Sequence, residues 1–251
     1  MRAKSVGLLG LVWALAFFVA TPVGAQDESG WLWNTQSNDP VDDAGRVVDF
    51  AVRVEATLEI DVRQAGAIVA EILDDERSWR GLEDVVFRLS DDPSAEFLVT
   101  IASPATTDQM CLPLNTVGRL SCRRGNQVIL NADRWNRGPD VYHSSYEGAL
   151  DEYRRYLVNH EVGHFLGKGH VQPANCTGST RAPVMMQQTF GLRDCAINGW
   201  PTLDGTQTPP VELDPSIAHA LRRSGLTTMA GRPVSGLDSG LLASALFVWP
   251  E

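Results

Sequence analysis

The chain has 251 residues, 43% hydrophobic and 21% charged, and its 31 acidic and 21 basic residues give a formal net charge of −10. This composition is typical of a folded protein with a sizeable core, and it excludes a disordered or fibrous chain. The acidic balance argues against a nucleic-acid binder, because lysine and arginine hold nucleic acids at their phosphates. The only lysines are Lys4 and Lys168, which leaves almost no place for a P-loop or a Schiff-base mechanism.

The N-terminus has the order of a secretory signal peptide. Arg2 and Lys4 precede an apolar run over 6–20, and small residues at 23–25 offer a cleavage site before Gln26. The apolar run is short for a bilayer-spanning helix, so we expect cleavage after residue 25 and no stable membrane span in the mature chain. Cleavage removes two basic residues and brings the formal net charge to −12. The sequence therefore predicts a secreted or extracytoplasmic protein, free or at the cell envelope.

Four cysteines remain in the mature chain: Cys111, Cys122, Cys176 and Cys195. In an oxidising compartment an even number of cysteines suggests two disulfides, and three connectivities are possible. We favour the two local pairings, Cys111 with Cys122 and Cys176 with Cys195. Free buried thiols are the alternative, and the absence of a C-x-x-C spacing argues against a zinc finger.

The predicted elements begin after a polar, Asp- and Gly-rich segment over 26–45, which indicates a flexible lead-in. Apolar and polar residues alternate over 47–54, and this period predicts a strand. Apolar residues at helical spacing predict a helix over 60–73 and a long helix over 146–166. Three further strands are predicted from short β-type runs at 85–89, 96–101 and 128–130.

This order of strand, helix, strands and long helix predicts an α+β domain. Residues 171–210 are rich in Pro, Gly, Thr and Asn, which indicates an irregular, disulfide-held lobe. Pro209-Pro210 marks a boundary, and a short helix is expected beyond it over 215–223. The predicted organisation is therefore a signal peptide (1–25), a lead-in (26–45), a main folded domain (46–210) and a C-terminal extension of unknown role (211–251).

The long predicted helix contains the pattern H-E-x-x-H at 160–164. His160 and His164 are four residues apart, so both imidazoles project from one helix face and can bind one ion. Glu161 can contact a water on that ion without being a ligand. Gly167 stands where a chain leaving a helix often needs a left-handed conformation, and this turn can return His170 to the same ion. Three nitrogen ligands with one open position predict a catalytic Zn²⁺ ion.

Two other interpretations of the motif are incidental surface histidines and a structural metal site. Five matched positions make a chance occurrence rare. A structural zinc site usually has four protein ligands and does not need a carboxylate beside the first histidine. We therefore favour the catalytic interpretation.

The full pattern H-E-x-x-H-x-x-G-x-x-H, at 160–170, resembles that of the metzincin zinc peptidases. Residues 183–186, with the sequence P-V-M-M, resemble the Met-containing turn that lies beneath the metal in that family. We place its methionine at Met185, with Met186 as the runner-up, because an apolar residue usually precedes the methionine. More broadly, residues 47–201 are similar to a group of uncharacterised secreted actinobacterial proteins of the zincin clan.

The resemblance implies a metzincin-like fold, with a small twisted mixed sheet, the long active-site helix and then the irregular lobe. It implies a secreted zinc-dependent endopeptidase with one catalytic Zn²⁺ bound by His160, His164 and His170. Glu161 would be the catalytic residue, acting as general base on a zinc-activated water. The expected partner is a peptide or protein substrate, with no nucleic acid.

The resemblance also implies that the substrate lies along an edge strand of the sheet, for which we nominate Gln127–Asn131. The loop Gln187–Phe190 would then form a wall of the specificity pocket. Some metzincins have a tyrosine ligand shortly after the methionine, but no tyrosine stands near Met185. No cysteine precedes Cys111, which excludes a cysteine-switch pro-segment.

Two alternative functions remain open at this point. One is a zinc amide hydrolase that acts on cell-envelope peptides. The other is a catalytically weak, zinc-containing binding module. The presence of Glu161 argues against the binding module, because inactive relatives of zinc peptidases often lose the general base.

Overall fold

The computed structural model describes residues 25–26, 29–39, 45–143, 148–172 and 176–207. The predicted signal peptide, apart from residue 25, lies outside these ranges. So do the predicted C-terminal extension and the helix expected over 215–223. Within the described ranges, no helix combines the length and the apolar character needed to cross a bilayer.

The described residues form an α+β fold, as predicted. The strands are β1 (Ala25–Gln26), β2 (Trp31–Trp33), β3 (Arg46–Glu55), β4 (Val85–Leu89), β5 (Phe97–Ala102), β6 (Cys122–Arg124) and β7 (Gln127–Asn131). The helices are α1 (Val62–Asp74), α2 (Pro104–Met110), α3 (Ala132–Arg137), α4 (Asp140–His143) and α5 (Ala149–Phe165).

The strands form one twisted mixed sheet, as expected, with the order β1-β2-β3-β5-β7-β6 and with β4 paired along the first half of β3. Strands β3, β4, β5 and β7 run parallel to one another. Strands β1 and β2 form an antiparallel pair beside β3, and β6 is antiparallel to β7.

The core lies between one face of this sheet and the helices α1 and α5. On β3 the buried residues Val48, Phe50, Val52 and Val54 alternate along the strand, so all four point to the same face of the sheet. The apolar faces of α1 and α5 pack against them in one continuous cluster. This arrangement packs α5, which contains the H-E-x-x-H pattern, against β6 and β7.

Part of the segment predicted as a flexible lead-in is ordered. Trp31–Trp33 forms β2, in which Leu32 is buried and pairs with Val54. The following Asn34 is also buried, and its backbone N–H donates to the carbonyl of Val52 at 2.9 Å. The sequence did not reveal this strand because three residues are too short to display a period of two.

The nominated substrate strand is not an edge strand, so that prediction is wrong. Gln127–Asn131 (β7) lies between β5, which pairs along its whole length, and β6, which pairs with its residues 127–129. Among the described residues the terminal strand on this side is β6, which follows the disulfide-closed loop and turns into β7 through Gly125. The sequence did not reveal this short strand, because the adjacent charged residues Arg123 and Arg124 break the apolar and polar alternation that is typical of strands.

Residues 176–207 form the irregular lobe that the composition predicts. Its only helical turns among the described residues are two 3₁₀ segments, Gln188–Phe190 and Pro201–Leu203. Both favoured disulfides are present, Cys111 with Cys122 and Cys176 with Cys195. Two disulfides are typical of proteins that reside outside the cytoplasm.

Candidate metal centre

The structure brings the three predicted histidines together. His160 and His164 lie on α5, and His170 follows the end of the helix. The Nε2 atom of His170 is 3.3 Å from that of His160 and 3.1 Å from that of His164. Nitrogen atoms of all three rings lie within 4.8 Å of one another, so the cluster can hold a metal ion.

The turn that returns His170 depends on Gly167. Its φ of +83° lies in the left-handed region that glycine adopts most easily. Two hydrogen bonds close the end of α5, from the Gly167 N–H to the His164 carbonyl at 3.1 Å and from the Lys168 N–H to the Gly163 carbonyl at 2.8 Å. This is the Schellman pattern, which reverses the chain after a helix.

Backbone carbonyls orient two of the histidine rings. The Nδ1 atom of His160 is 2.7 Å from the carbonyl oxygen of Val184, and that of His164 is 2.8 Å from the carbonyl oxygen of Lys168. A carbonyl oxygen can only accept, so each Nδ1 donates its hydrogen and leaves the lone pair of Nε2 facing the cluster. The Val184 carbonyl is a contact that the sequence alone did not reveal.

The electrostatics of the cluster favour neutral imidazole, which is the form that binds metal. Burial lowers the pKa of His160 to about 3, with the Val184 carbonyl acting in the opposite direction. Burial also lowers the pKa of His170, and the neighbouring His164 adds to this effect.

Glu161 is buried beside the cluster and lines the same cleft. Within the described part of the chain, its Oε2 atom has no hydrogen-bond partner. Burial raises the pKa of the carboxyl to about 8. An unpaired buried carboxyl oxygen is rare in proteins, and a nearby cation with its water would satisfy it. The histidines and this carboxyl therefore fit a divalent metal ion.

Met185 lies against the helix that carries the histidines. A Cβ atom added at Gly163 would be only 2.5 Å from the Met185 Sδ atom and 2.7 Å from the Cζ2 atom of Trp79. Only glycine at this position lets both side chains approach the helix so closely. Met186 instead packs in a separate cluster with Ala182 and Cys195. Met185, and not Met186, therefore packs against Gly163 of the helix that carries the histidines.

A cleft of about 470 Å³ opens above the histidines. One wall consists of residues 120–123, together with Leu114. A second part of the wall includes Gln187, Thr189 and Phe190, which belong to the loop that the sequence nominated for the specificity pocket.

A buried tyrosine from α5 holds this second wall, and sequence reasoning missed it. The hydroxyl of Tyr156 donates to the Met186 carbonyl at 3.2 Å and accepts from the Gln188 N–H at 3.0 Å. The Tyr153 hydroxyl lies 2.9 Å from the Thr189 hydroxyl. The helix that carries the histidines therefore also positions the segment after Met185.

Comparison with known proteins yields a family match over residues 22–207, to a family described as proteins of unknown function. The chain belongs to the DUF3152 family. The DUF3152 region contains the whole histidine cluster, Glu161, Met185 and both disulfides. No curated protein and no solved structure shows a significant match to the chain. Membership of the DUF3152 family therefore assigns no activity, and the function has to be argued from the site.

Proposed function

We propose that this DUF3152 protein is a secreted zinc-dependent endopeptidase of the metzincin type. One observation carries the proposal: three imidazole Nε2 atoms converge within the same cleft into which the buried, unpaired carboxyl of Glu161 opens. The Met185 contact with α5 and the glycine turn at Gly167 support it, since both match the pattern that the sequence shares with metzincins.

His160, His164 and His170 would hold the zinc through neutral nitrogens, so that one position stays open for water or substrate. When bound there, zinc lowers the pKa of a water and polarises the scissile carbonyl. Glu161 accepts the proton of the attacking water and then delivers it to the leaving amine.

The substrate in this proposal is an extended peptide that adds to β6. Cys122–Arg124 is the terminal strand beside the cleft, and it replaces the strand nominated from the sequence. Addition of a peptide to a sheet edge uses main-chain hydrogen bonds and therefore accepts many sequences. The loop 187–190 faces β6 across the cleft and would contact the side chains of the bound peptide.

The test combines metal analysis with digestion of a peptide library by the wild-type mature chain and by Glu161→Gln. We expect one zinc per chain in both proteins and a loss of activity of about 10²–10⁴-fold in the variant. Glu71→Gln is the matched control, because Glu71 is exposed on α1 and far from the histidines in the sequence. His170→Ala should lose zinc affinity and activity together.

Bound zinc without Glu161-dependent cleavage of any peptide would contradict the proposal and favour a zinc-containing binding module. Cleavage confined to amide bonds of cell-envelope peptides would favour the amide hydrolase. Full zinc affinity and activity in His170→Ala would show that the three-histidine site is wrong.

A further inference from the structure

Both walls of the cleft expose large apolar side chains to solvent. Leu114 is 53% exposed on one wall, and Phe190 is 62% exposed on the other. Leu120 adds further apolar surface beside Leu114. Burial of such surface by a ligand is favourable, and exposed apolar patches often mark binding sites.

The loop that carries Leu114 is fixed in place. The disulfide between Cys111 and Cys122 joins its two ends and ties it to β6. The Asp108 carboxylate on α2 accepts hydrogen bonds from two groups of the loop, the Thr116 hydroxyl and the Gly118 N–H, the latter at 2.8 Å. The apolar wall is therefore preformed, so that binding does not have to pay the entropy of ordering it.

Arg123 supplies charge beside this apolar surface. On β6 it pairs with Val128, whose side chain lies in the core on the α5 side of the sheet, so Arg123 projects towards the face that carries the cleft. Arg123 is exposed and has no ion-pair partner among the described residues. Its guanidinium is therefore available to a carboxylate of a bound ligand.

The other charged residues that line the cleft do not neutralise the positive charge of Arg123. Lys168 forms an ion pair with Glu83. Among the described residues that line the cleft, the only carboxyl is that of Glu161. A chain with a formal net charge of −10 thus presents an unpaired cation at this cleft, where Glu161 is the one carboxyl among the described lining residues.

We infer that the cleft selects an extended peptide that carries a large apolar side chain, held between Leu114 and Phe190, and a nearby Asp or Glu that pairs with Arg123. This inference rests on the proposed peptidase function and names the substrate class of that same site. The occupant we infer is an acidic peptide segment, because its carboxylate is complementary in charge to Arg123 beside the apolar surface.

The chain offers matched controls for both contacts. Arg124 is the next residue on β6 and projects to the opposite face, where its Nη1 atom donates to the Met110 carbonyl at 3.2 Å. Leu112 belongs to the same disulfide-closed loop and is 56% exposed, yet it does not line the cleft.

The experiment compares kcat/KM of the zinc-loaded mature chain for peptides that differ at one position. We expect a preference of about tenfold for Leu over Ala at the apolar position, and about threefold for Asp over Asn near it. Arg123→Ala should abolish the Asp preference and Arg123→Glu should reverse it towards Lys, whereas Arg124→Ala keeps it. Leu114→Ala should reduce the Leu preference, whereas Leu112→Ala keeps it.

A second readout separates the two proposals. Glu161→Gln binds the same fluorescent peptides without cleaving them, and fluorescence anisotropy reports their affinity. Glu161-dependent cleavage with equal rates for all peptides would overturn the selectivity and leave the peptidase standing. Selective binding that depends on Arg123 and Leu114, without cleavage by the wild type, would support the selectivity and refute the peptidase. The absence of both selective binding and selective cleavage would overturn the inference.

Discussion

Asn159 allows a quantitative test of how the histidine helix is anchored. It precedes His160, is fully buried, and joins α5 to two other segments. Its Oδ1 atom accepts from the Ser78 hydroxyl at 2.7 Å, and its Nδ2 atom donates to the Gly199 carbonyl at 2.8 Å. Trp79 donates from Nε1 to the Asn159 backbone carbonyl, so this third bond survives a change of the side chain.

We predict that Asn159→Leu lowers the free energy of unfolding by about 2–4 kcal/mol. Leucine is close to asparagine in size, so the loss comes mainly from two buried polar groups, the Ser78 hydroxyl and the Gly199 carbonyl, left without partners. Each costs about 1–3 kcal/mol, and the added apolar burial offsets part of the sum.

Urea denaturation followed by circular dichroism measures the effect, with metal removed so that zinc binding does not contribute. Asn136→Leu is the matched control, because Asn136 is exposed on α3, and we expect a change of no more than about 0.5 kcal/mol. In the double variant Ser78→Ala/Asn159→Leu the orphaned hydroxyl is gone, so about 1–2 kcal/mol should be recovered relative to the sum of the single variants. A cost below about 0.5 kcal/mol for Asn159→Leu, or strict additivity, would refute this account.

Three further predictions concern the helix contact, the disulfide loop and a buried tyrosine. Gly163→Ala should lower stability by about 1–2 kcal/mol in thermal melts, because the clash with Met185 and Trp79 exceeds the gain in helix propensity. Gly178→Ala is its control, since a Cβ there meets open space, and equal melting temperatures of the two variants would contradict the contact. Replacement of Cys111 and Cys122 by serine should cost about 3 kcal/mol for the sequence separation of 11 residues, and an unchanged urea midpoint would count against it. Burial raises the pKa of Tyr153 to about 12. The pKa of Tyr153 is higher in the folded than in the unfolded chain. The contribution of this tyrosine to the free energy of unfolding is therefore complete below pH 10 and falls by about 1 kcal/mol by pH 11. Unfolding free energies at pH 9 and pH 11 should therefore differ less in Tyr153→Phe than in the wild type, and an identical difference would contradict the assignment.

The sequence predicted the elements whose patterns are long enough to recognise. The alternation over 47–54 corresponds to β3, and the helix predicted over 146–166 corresponds to α5. It missed β2 and β6, which have three residues each. It also nominated β7 as the edge strand, because a run of apolar residues does not reveal which strand pairs beyond it.

The candidate site divides in a similar way. The spacing of His160, Glu161 and His164 in the sequence was enough to predict that they lie close together, since residues one and four apart occupy known positions on a helix. The tautomers of His160 and His164 required the carbonyls of Val184 and Lys168. Tyr156, which holds the wall after Met185, could not be recognised from the sequence because its partners lie about thirty residues away.

The sequence by itself determined an acidic α+β protein with four cysteines and a local motif that can bind a metal ion. Only the tertiary structure decided that Met185 rather than Met186 packs against Gly163 of α5, that β6 borders the cleft, and that Arg123 and Arg124 face opposite sides of the sheet. The physical reason is the range of the interactions. Helix period and turn geometry are set by neighbours within a few residues, whereas strand order and side-chain packing depend on segments that meet only when the chain has folded.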